Sequence, residues 1–359
     1  MPFIKNMWYV AAWSYELGSD APIGRMIIGE SIAFYRKRDG TVVAIEDRCP
    51  HRHAPLSLGR VEGDDLRCMY HGLKFGCDGV CIAIPGMDNA TPNIAARIFP
   101  VVEQSSWLWV WLGDPAKADR ALIPRATGLD DPEWSMRADA MDYAADYQLV
   151  NDNLCDLSHL DFSHETTLGG ASGAKWSQDE PTITPLQNGL LFERWFTNVL
   201  RTPSATDRVD TWNSYQYLLP GLFLMKTETF PAGTALASNF AASTATPMFR
   251  RREQQAVTPI AKNRTRYLYA SGVEAAFATP EFMDGLFGII NAAFAEDKRI
   301  IEGQQKIWDA TPADQTKTFI PQDKAPNLFR RLIARRLAEE TSSAVTTEAP
   351  RQAPRSLSQ

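Results

Sequence analysis

The chain has 359 residues, room for two domains at roughly 100–200 residues each, and its 44% apolar and 22% charged residues exclude a disordered or fibrous protein. A formal net charge of -6 argues against a nucleic-acid partner, because the summed field repels a phosphate backbone. No apolar run approaches the ~18 residues of a membrane span, and five cysteines without a recognisable export signal predict a cytoplasmic protein with reduced thiols free to bind metal.

Taken in chain order, the run Met7 to Trp13 is too short and too aromatic for a secretory signal. Ser31–Tyr35 and Thr41–Ile45 flank an Arg38-Asp39-Gly40 turn and predict a hairpin. A second hairpin is predicted at Leu73–Gly76 and Val80–Ile82 around Cys77-Asp78-Gly79. Trp107–Leu112 closes the series before Gly113-Asp114-Pro115 breaks it. Residues 1–115 are therefore predicted to form an all-β domain. Residues 116–340 mix strand-like runs, such as Gly189–Phe196 and Arg266–Ala270, with a helix near Gln148–Ser158. A second helix begins where Thr279 can cap and Pro280 can take the first position. The fold class is thus α+β, with a basic amphipathic stretch over Asn327–Glu340 and a tail, 341–359, too poor in apolar residues to order itself.

The five histidines fall at only three places, and two of these carry cysteines. Cys49-Pro50-His51 and Cys68-Met69-Tyr70-His71 put one thiol and one imidazole in each of two loops. A structural Cys2His2 zinc site has the same ligand types, but usually places two cysteines on one knuckle and two histidines on another. A Rieske [2Fe-2S] cluster needs two loops that each give one of each, with the cysteines on one iron and the histidines on the other. The spacing favours the cluster. His53 is read as a packing or hydrogen-bonding residue, and Cys77, Cys81 and Cys155 as buried, inert thiols.

The segments Cys49–Leu56 and Leu66–Phe75 closely resemble the Rieske signature of aromatic-ring oxygenases, in particular the subgroup of vanillate O-demethylase, dicamba O-demethylase and toluenesulfonate monooxygenase. The opening Asn6–Ala12 is similar to that subgroup as well. The resemblance runs from about residue 3 to about 335 and is diffuse between 170 and 275. It implies a Rieske domain followed by a helix-grip (START-like) catalytic domain.

His159 and His164 are five apart, so on a regular helix they would diverge by about 140° and reach one metal only if the helix ends or distorts between them. On the helix after Thr279, Met283, Leu286, Ile290, Ala293, Phe294 and Ile301 form one apolar stripe with Asp297 at its centre. A carboxylate there must be ion-paired or metal-bound. Two imidazoles and one carboxylate make the facial triad that leaves open positions on Fe(II). The resemblance selects the same three residues, matching Asn153, Asp156, His159 and His164 to the oxygenase motif and Asp297 to the third ligand. It implies that Asp156 bridges a Rieske histidine of one subunit, His71, to an iron histidine of the next, His159, in a homotrimer. Asn153 would stand beside the iron. A surface acid and a helix-capping amide are their plain alternatives.

As that resemblance implies, the chain is the terminal oxygenase of a multicomponent monooxygenase system, carrying out O2-dependent O- or N-demethylation or dealkylation of an aromatic substrate. Electrons would come from NAD(P)H through a separate reductase, with or without a ferredoxin, since no dinucleotide fingerprint is present. Ring cis-dihydroxylation is the alternative reaction, and a non-catalytic Rieske electron carrier the alternative of another class. Arg48, Arg52, Arg67 and Lys74 surround the cluster ligands in sequence and are candidates for docking an acidic ferredoxin. Between 170 and 275 no histidine matches the carboxylate-binding histidine of dicamba O-demethylase, so the resemblance implies a neutral aryl ether, anilide or N-alkyl amide rather than an acidic aromatic substrate.

Overall fold

The computed structural model describes residues 2–87, 93–169, 173–201, 205–312, 315 and 318–347. The first unit is entirely β. Its strands are β1 (Met7–Trp13), β2 (Ile23–Ile27), β3 (Glu30–Arg36), β4 (Val42–Glu46), β5 (Arg60–Glu62), β6 (Asp65–Arg67), β7 (Lys74–Phe75), β8 (Cys81–Ala83), β9 (Ile98–Phe99), β10 (Val101–Gln104) and β11 (Trp107–Leu112). They form three antiparallel sheets, ordered β1-β11-β10, β2-β3-β4-β9 and β5-β6-β7-β8. Both predicted hairpins are present, as β3-β4 and β7-β8.

The second unit is built on one seven-stranded antiparallel sheet. Its strands are β12 (Trp134–Tyr143), β13 (Thr182–Leu186), β14 (Gly189–Leu200), β15 (Arg208–Leu218), β16 (Leu222–Pro231), β17 (Phe249–Ala261) and β18 (Arg264–Glu274), in the order β12-β18-β17-β16-β15-β14-β13. Five helices accompany it: α1 (Tyr147–Cys155), α2 (Leu160–Ser163), α3 (Thr234–Ala237), α4 (Pro280–Ala310) and α5 (Lys324–Thr347). Thr279 caps α4 by accepting from the Phe282 N–H, with Pro280 at the first position as predicted. Met283, Ile290, Ala293, Phe294, Asp297 and Ile301 of α4 are buried against the sheet, whereas Leu286 is only half-buried. Among the described residues no helix is long and apolar enough to cross a membrane.

Two expectations are corrected here. Helix α5 runs on to Thr347, so the stretch expected to lack structure is helical over residues 341–347, and residues 348–359 lie outside the described residues. Cys77 is exposed on the Gly76–Gly79 turn, while Cys81 and Cys155 are buried. A turn between two-residue and three-residue strands has no second layer to cover it.

The two faces of the large sheet have different partners, because strand side chains alternate. Leu222, Ala256, Leu268 and Ala270 pack against Trp8, Trp13, Trp107, Trp109 and Trp111 of the first unit. Buried aromatics of this size dominate a seam's energetics. Hydrogen bonds stitch the same seam, from Thr258 Oγ1 to the Val10 carbonyl (2.7 Å) and from Trp13 Nε1 to the Asp139 carbonyl (3.0 Å). The opposite face, carrying Tyr215, Phe223, Met225 and Tyr269, packs against α1, α4 and α5. Between that face and α4 lies the pocket described below.

Candidate functional site: two metal centres

The first centre is held by two loops of matching backbone geometry. Cys49 N–H donates to the Ala54 carbonyl (2.8 Å) and His53 N–H returns to the Cys49 carbonyl (2.9 Å). In the second loop Cys68 N–H donates to Leu73 (2.8 Å) and Gly72 N–H returns to Cys68 (2.9 Å). The fourth residue after each cysteine has a positive φ, +56° at His53 and +76° at Gly72. His53 is therefore a loop-closing residue, exposed, with Nε2 3.3 Å from Arg48 Nη1. Cys49 and Cys68 are buried with their thiols facing each other, whereas His51 and His71 sit at the surface with ring centroids 4.6 Å apart. Burial pushes the Cys49 thiol above its ordinary value, and desolvation followed by the positive fields of His51 and Arg52 holds His71 below its own. Thiolates inside and imidazoles outside is the division a Rieske cluster requires.

The surrounding charges are mostly committed. Arg48 pairs with Glu46 (2.7 Å), Arg67 with Glu62 (2.8 Å) and Lys74 with Asp65 (2.7 Å). Of the four cations near the ligands, Arg52 alone has no ion pair among the described residues and is exposed.

The second centre depends on a broken helix. Asp146 caps α1 through its side chain, and α1 ends at Cys155 because Asp156 adopts extended angles (φ -124°, ψ 99°). A 3-10 turn over Leu157–His159 and the short α2 then carry the chain to His164 at the C-cap. The break removes the divergence that a regular helix would impose. His159, His164 and Asp297 offer ligand atoms all within 4.8 Å of one another. His164 Nε2 lies 3.2 Å from Asp297 Oδ2, and His159 Nε2 3.6 Å from Asp297 Oδ1. Donor atoms at those separations fit around one ion with bonds of about 2.0–2.2 Å. His164 and Asp297 are 1% and 5% exposed, and among the described residues Asp297 makes no arginine ion pair, so the rival to metal binding is absent there.

Each imidazole is anchored through its other nitrogen. His159 Nδ1 lies 2.5 Å from the Asp156 carbonyl oxygen, and His164 Nδ1 lies 2.8 Å from Glu296 Oε2. Thr167 Oγ1 also donates to Glu296 Oε2 (2.8 Å). Such partners fix ring orientation and leave Nε2 for the metal. Burial pulls the His164 imidazolium down, but the carboxylates of Asp297 and Glu296 outweigh it and hold the group above its ordinary value. Asn153 Nδ2 donates to Asp297 Oδ1 (3.0 Å) and sits 3.3 Å from His159 Nε2.

Asp156 and Glu296 each add a contact within the chain that spacing does not reveal. The Asp156 contact to His159 runs through the main-chain carbonyl, while the carboxylate caps the Ser158 N–H (2.9 Å) and borders a cleft with Ser177 and Arg194. Glu296 lies off the apolar stripe that singles out Asp297, yet it supports His164. The turn after α2 folds back over that side of α4, which helical periodicity does not reveal.

Above the triad opens a pocket lined by Leu154, Leu160, Leu168, Phe223, Met225 and Phe294, and by Arg251, Glu253 and Gln255 of β17. The sequence reading missed these three polar residues. They lie in an unbroken polar run, Arg250–Gln255, so no alternation in the sequence marks the face they occupy.

Residues 7–101 match the Rieske [2Fe-2S] domain family, and residues 143–339 match the vanillate O-demethylase oxygenase C-terminal domain family. The iron-sulfur subunit of the toluene-4-sulfonate monooxygenase system of Comamonas testosteroni is 35% identical over 94% of this chain and 98% of its own. The oxygenase component of dicamba O-demethylase from Stenotrophomonas maltophilia is 32% identical over 85% and 89%. Crystal structures of dicamba monooxygenase superpose with a TM-score of 0.84 at 28% identity when bound to dicamba, covering 95% of this chain and 100% of that one. The structure with non-haem iron and dicamba gives a TM-score of 0.79 at 27% identity, covering 96% and 100%. A Rieske domain joined to a helix-over-sheet domain with a two-histidine, one-carboxylate pocket defines a Rieske non-haem iron oxygenase, the terminal component of a multicomponent system. The chain belongs to the vanillate O-demethylase oxygenase family within that class.

Proposed function

We propose that the chain hydroxylates an O- or N-alkyl carbon of an aromatic substrate, so that the product loses the alkyl group as an aldehyde. The observation that carries this reading is the convergence of His159, His164 and Asp297 at the floor of a largely apolar pocket in a chain that also holds a Rieske domain. Bound to Cys49, His51, Cys68 and His71, a [2Fe-2S] cluster supplies one-electron transfer, and Fe(II) bound to His159, His164 and Asp297 supplies O2 activation.

The residues do the rest. Glu296 and the Asp156 carbonyl hold the two imidazoles with Nε2 inward. Asn153 hydrogen-bonds the carboxylate ligand and keeps Asp297 from swinging toward solvent. Leu160, Phe223 and Phe294 exclude water and seat a ring with its alkyl group toward the triad. Two electrons and two protons accompany each O2: one oxygen enters the C–H bond and the other leaves as water. A hydroxylated O-methyl or N-methyl group then collapses to formaldehyde and the free phenol or amine.

The first unit lies on the back of the large sheet while the triad lies on the front. That separation supports electron transfer between subunits, with Asp156 linking His71 of the partner subunit to His159 in a homotrimer. A separate reductase or ferredoxin carrying NAD(P)H electrons would meet the exposed His51 and His71. Five free thiols fit the cytoplasm, and the two units divide near residue 115. The test is one turnover of dithionite-reduced oxygenase with a methoxy-aromatic under O2. Formaldehyde supports dealkylation, a cis-diol selects ring dihydroxylation, and neither product with an intact cluster leaves an electron carrier.

A further inference from the structure

The pocket over the triad has two unlike walls. One is hydrocarbon, and the other is a polar rail of Arg251, Glu253 and Gln255 at alternate positions of β17. Arg251 Nη2 lies 2.6 Å from Glu253 Oε1, Gln255 Nε2 donates to Glu253 Oε2 (3.4 Å), and Tyr267 Oη donates to Gln255 Oε1 (2.6 Å). The rail is thus held in place and carries no net charge.

Its hydrogen-bonding capacity is not used up. The buried Arg251 Nε finds no partner among the described residues. Neither does Ser271 Oγ, directly across from Glu253 on β18, nor Asn213 Oδ1 on β15, in the same cross-strand row as Thr227 and Arg251. Ser271 and Asn213 are 2% and 3% exposed. Directly paired residues share a sheet face, so these atoms face the same side as the rail. Buried polar atoms without partners are rare and call for an explanation; of these three residues Arg251 lines the pocket, where a polar ligand can supply the missing partner.

The rail also selects the ligand's charge. A carboxylate or sulfonate reaching for Arg251 meets Glu253, which already neutralises that guanidinium and repels a second anion in a desolvated site. A plain aryl ether leaves the Arg251 N–H and the Glu253 oxygens without a complement. An amide-type edge satisfies both, its carbonyl accepting from Arg251 and its N–H donating to Glu253.

We propose that Arg251 and Glu253 form a donor–acceptor pair that selects an uncharged aromatic substrate carrying a carboxamide, lactam or urea edge, with its O- or N-alkyl group directed at the triad. The inference rests on the dealkylating function proposed above. The test is calorimetric binding of 3-methoxybenzamide, 3-methoxybenzoate and anisole to anaerobic, iron-loaded oxygenase, with formaldehyde measured separately. The benzamide binds at least about tenfold tighter than either other ligand, and Glu253→Gln narrows its advantage over the benzoate at least about tenfold. Equal or tighter binding of the benzoate or anisole overturns the proposal, as does an unchanged ratio in Glu253→Gln or no binding by any of the three. The expected binding order without formaldehyde supports the rail and counts against dealkylation. Formaldehyde formed preferentially from the benzoate supports dealkylation and overturns the rail.

Discussion

His164 and Glu296 are 132 residues apart in sequence, yet His164 Nδ1 lies 2.8 Å from Glu296 Oε2, on the side of the ring away from Asp297. The contact holds the imidazole of this proposed metal ligand in one orientation, and it comes from the residue immediately before Asp297.

Replacing Glu296 with Gln keeps the shape and removes the charge that orients His164. Support of this kind is worth roughly 10–100-fold in metal affinity. We expect Glu296→Gln to bind Fe(II) more weakly by about that factor with the cluster unchanged, measured by iron titration under anaerobic conditions. Unchanged affinity would show that Glu296 contributes only packing.

Asp297→Asn and His164→Ala each remove one member of the triad. Either variant should retain a red-brown cluster and lose the mononuclear iron, so that iron analysis falls by about one third of the total. Loss of both centres together would mean that the triad holds the fold rather than a metal.

Trp109 is fully buried in the seam between the two units, and its Nε1 donates to the Gln104 carbonyl (3.1 Å). Truncation of a buried Trp costs about 3–5 kcal/mol. Trp109→Ala should lower the denaturant midpoint accordingly, with cluster colour and helical signal lost in one transition. Two separated transitions in the wild type would show that the units do not depend on this seam.

Glu62 is held down at about 2, first by its hydrogen bond to Arg67 and then by Arg60. A carboxylate lowered in the folded state stabilises it above the unfolded value of about 4.3, and that contribution is lost as pH falls toward 2. Wild type should therefore outlast Glu62→Gln at pH 6, with the difference in cluster bleaching rate shrinking as pH drops below about 4. A constant difference across that window would assign the effect to something other than this charge.

Arg52 is the exposed cation beside His71 that has no ion pair among the described residues, whereas Lys74 is tied to Asp65. Arg52→Glu should raise the apparent KM for an acidic ferredoxin several-fold without changing single-turnover chemistry. Lys74→Glu should destabilise β6-β7 first, which thermal melting distinguishes from a docking effect.

The parts of this protein legible in its sequence are those fixed by local spacing. One thiol and one imidazole per loop point to the proposed cluster site, and the stripe on α4 singles out Asp297 as the proposed third iron ligand. Pairing His159 with His164 required a break in the helix, which extended angles at Asp156 supply and which no propensity of Asp156 demands. Glu296 escaped because it lies about 100° round the helix from Asp297, a position that reads as outward until the turn after α2 covers it. Arg251, Glu253 and Gln255 escaped for a related reason: they belong to the continuous polar run Arg250–Gln255, which reads as solvent-facing, and only the tertiary fold decides that one of its faces lines the pocket. The pocket consequently has a cation, Arg251, in the stretch that lacks histidine.

Metal and acid-labile sulfide analysis of anaerobically purified protein tests the central claim most directly. Two centres in one chain predict about three irons and two sulfides per chain. About two irons with two sulfides in folded protein would remove the mononuclear site, and zinc without sulfide would contradict the account altogether.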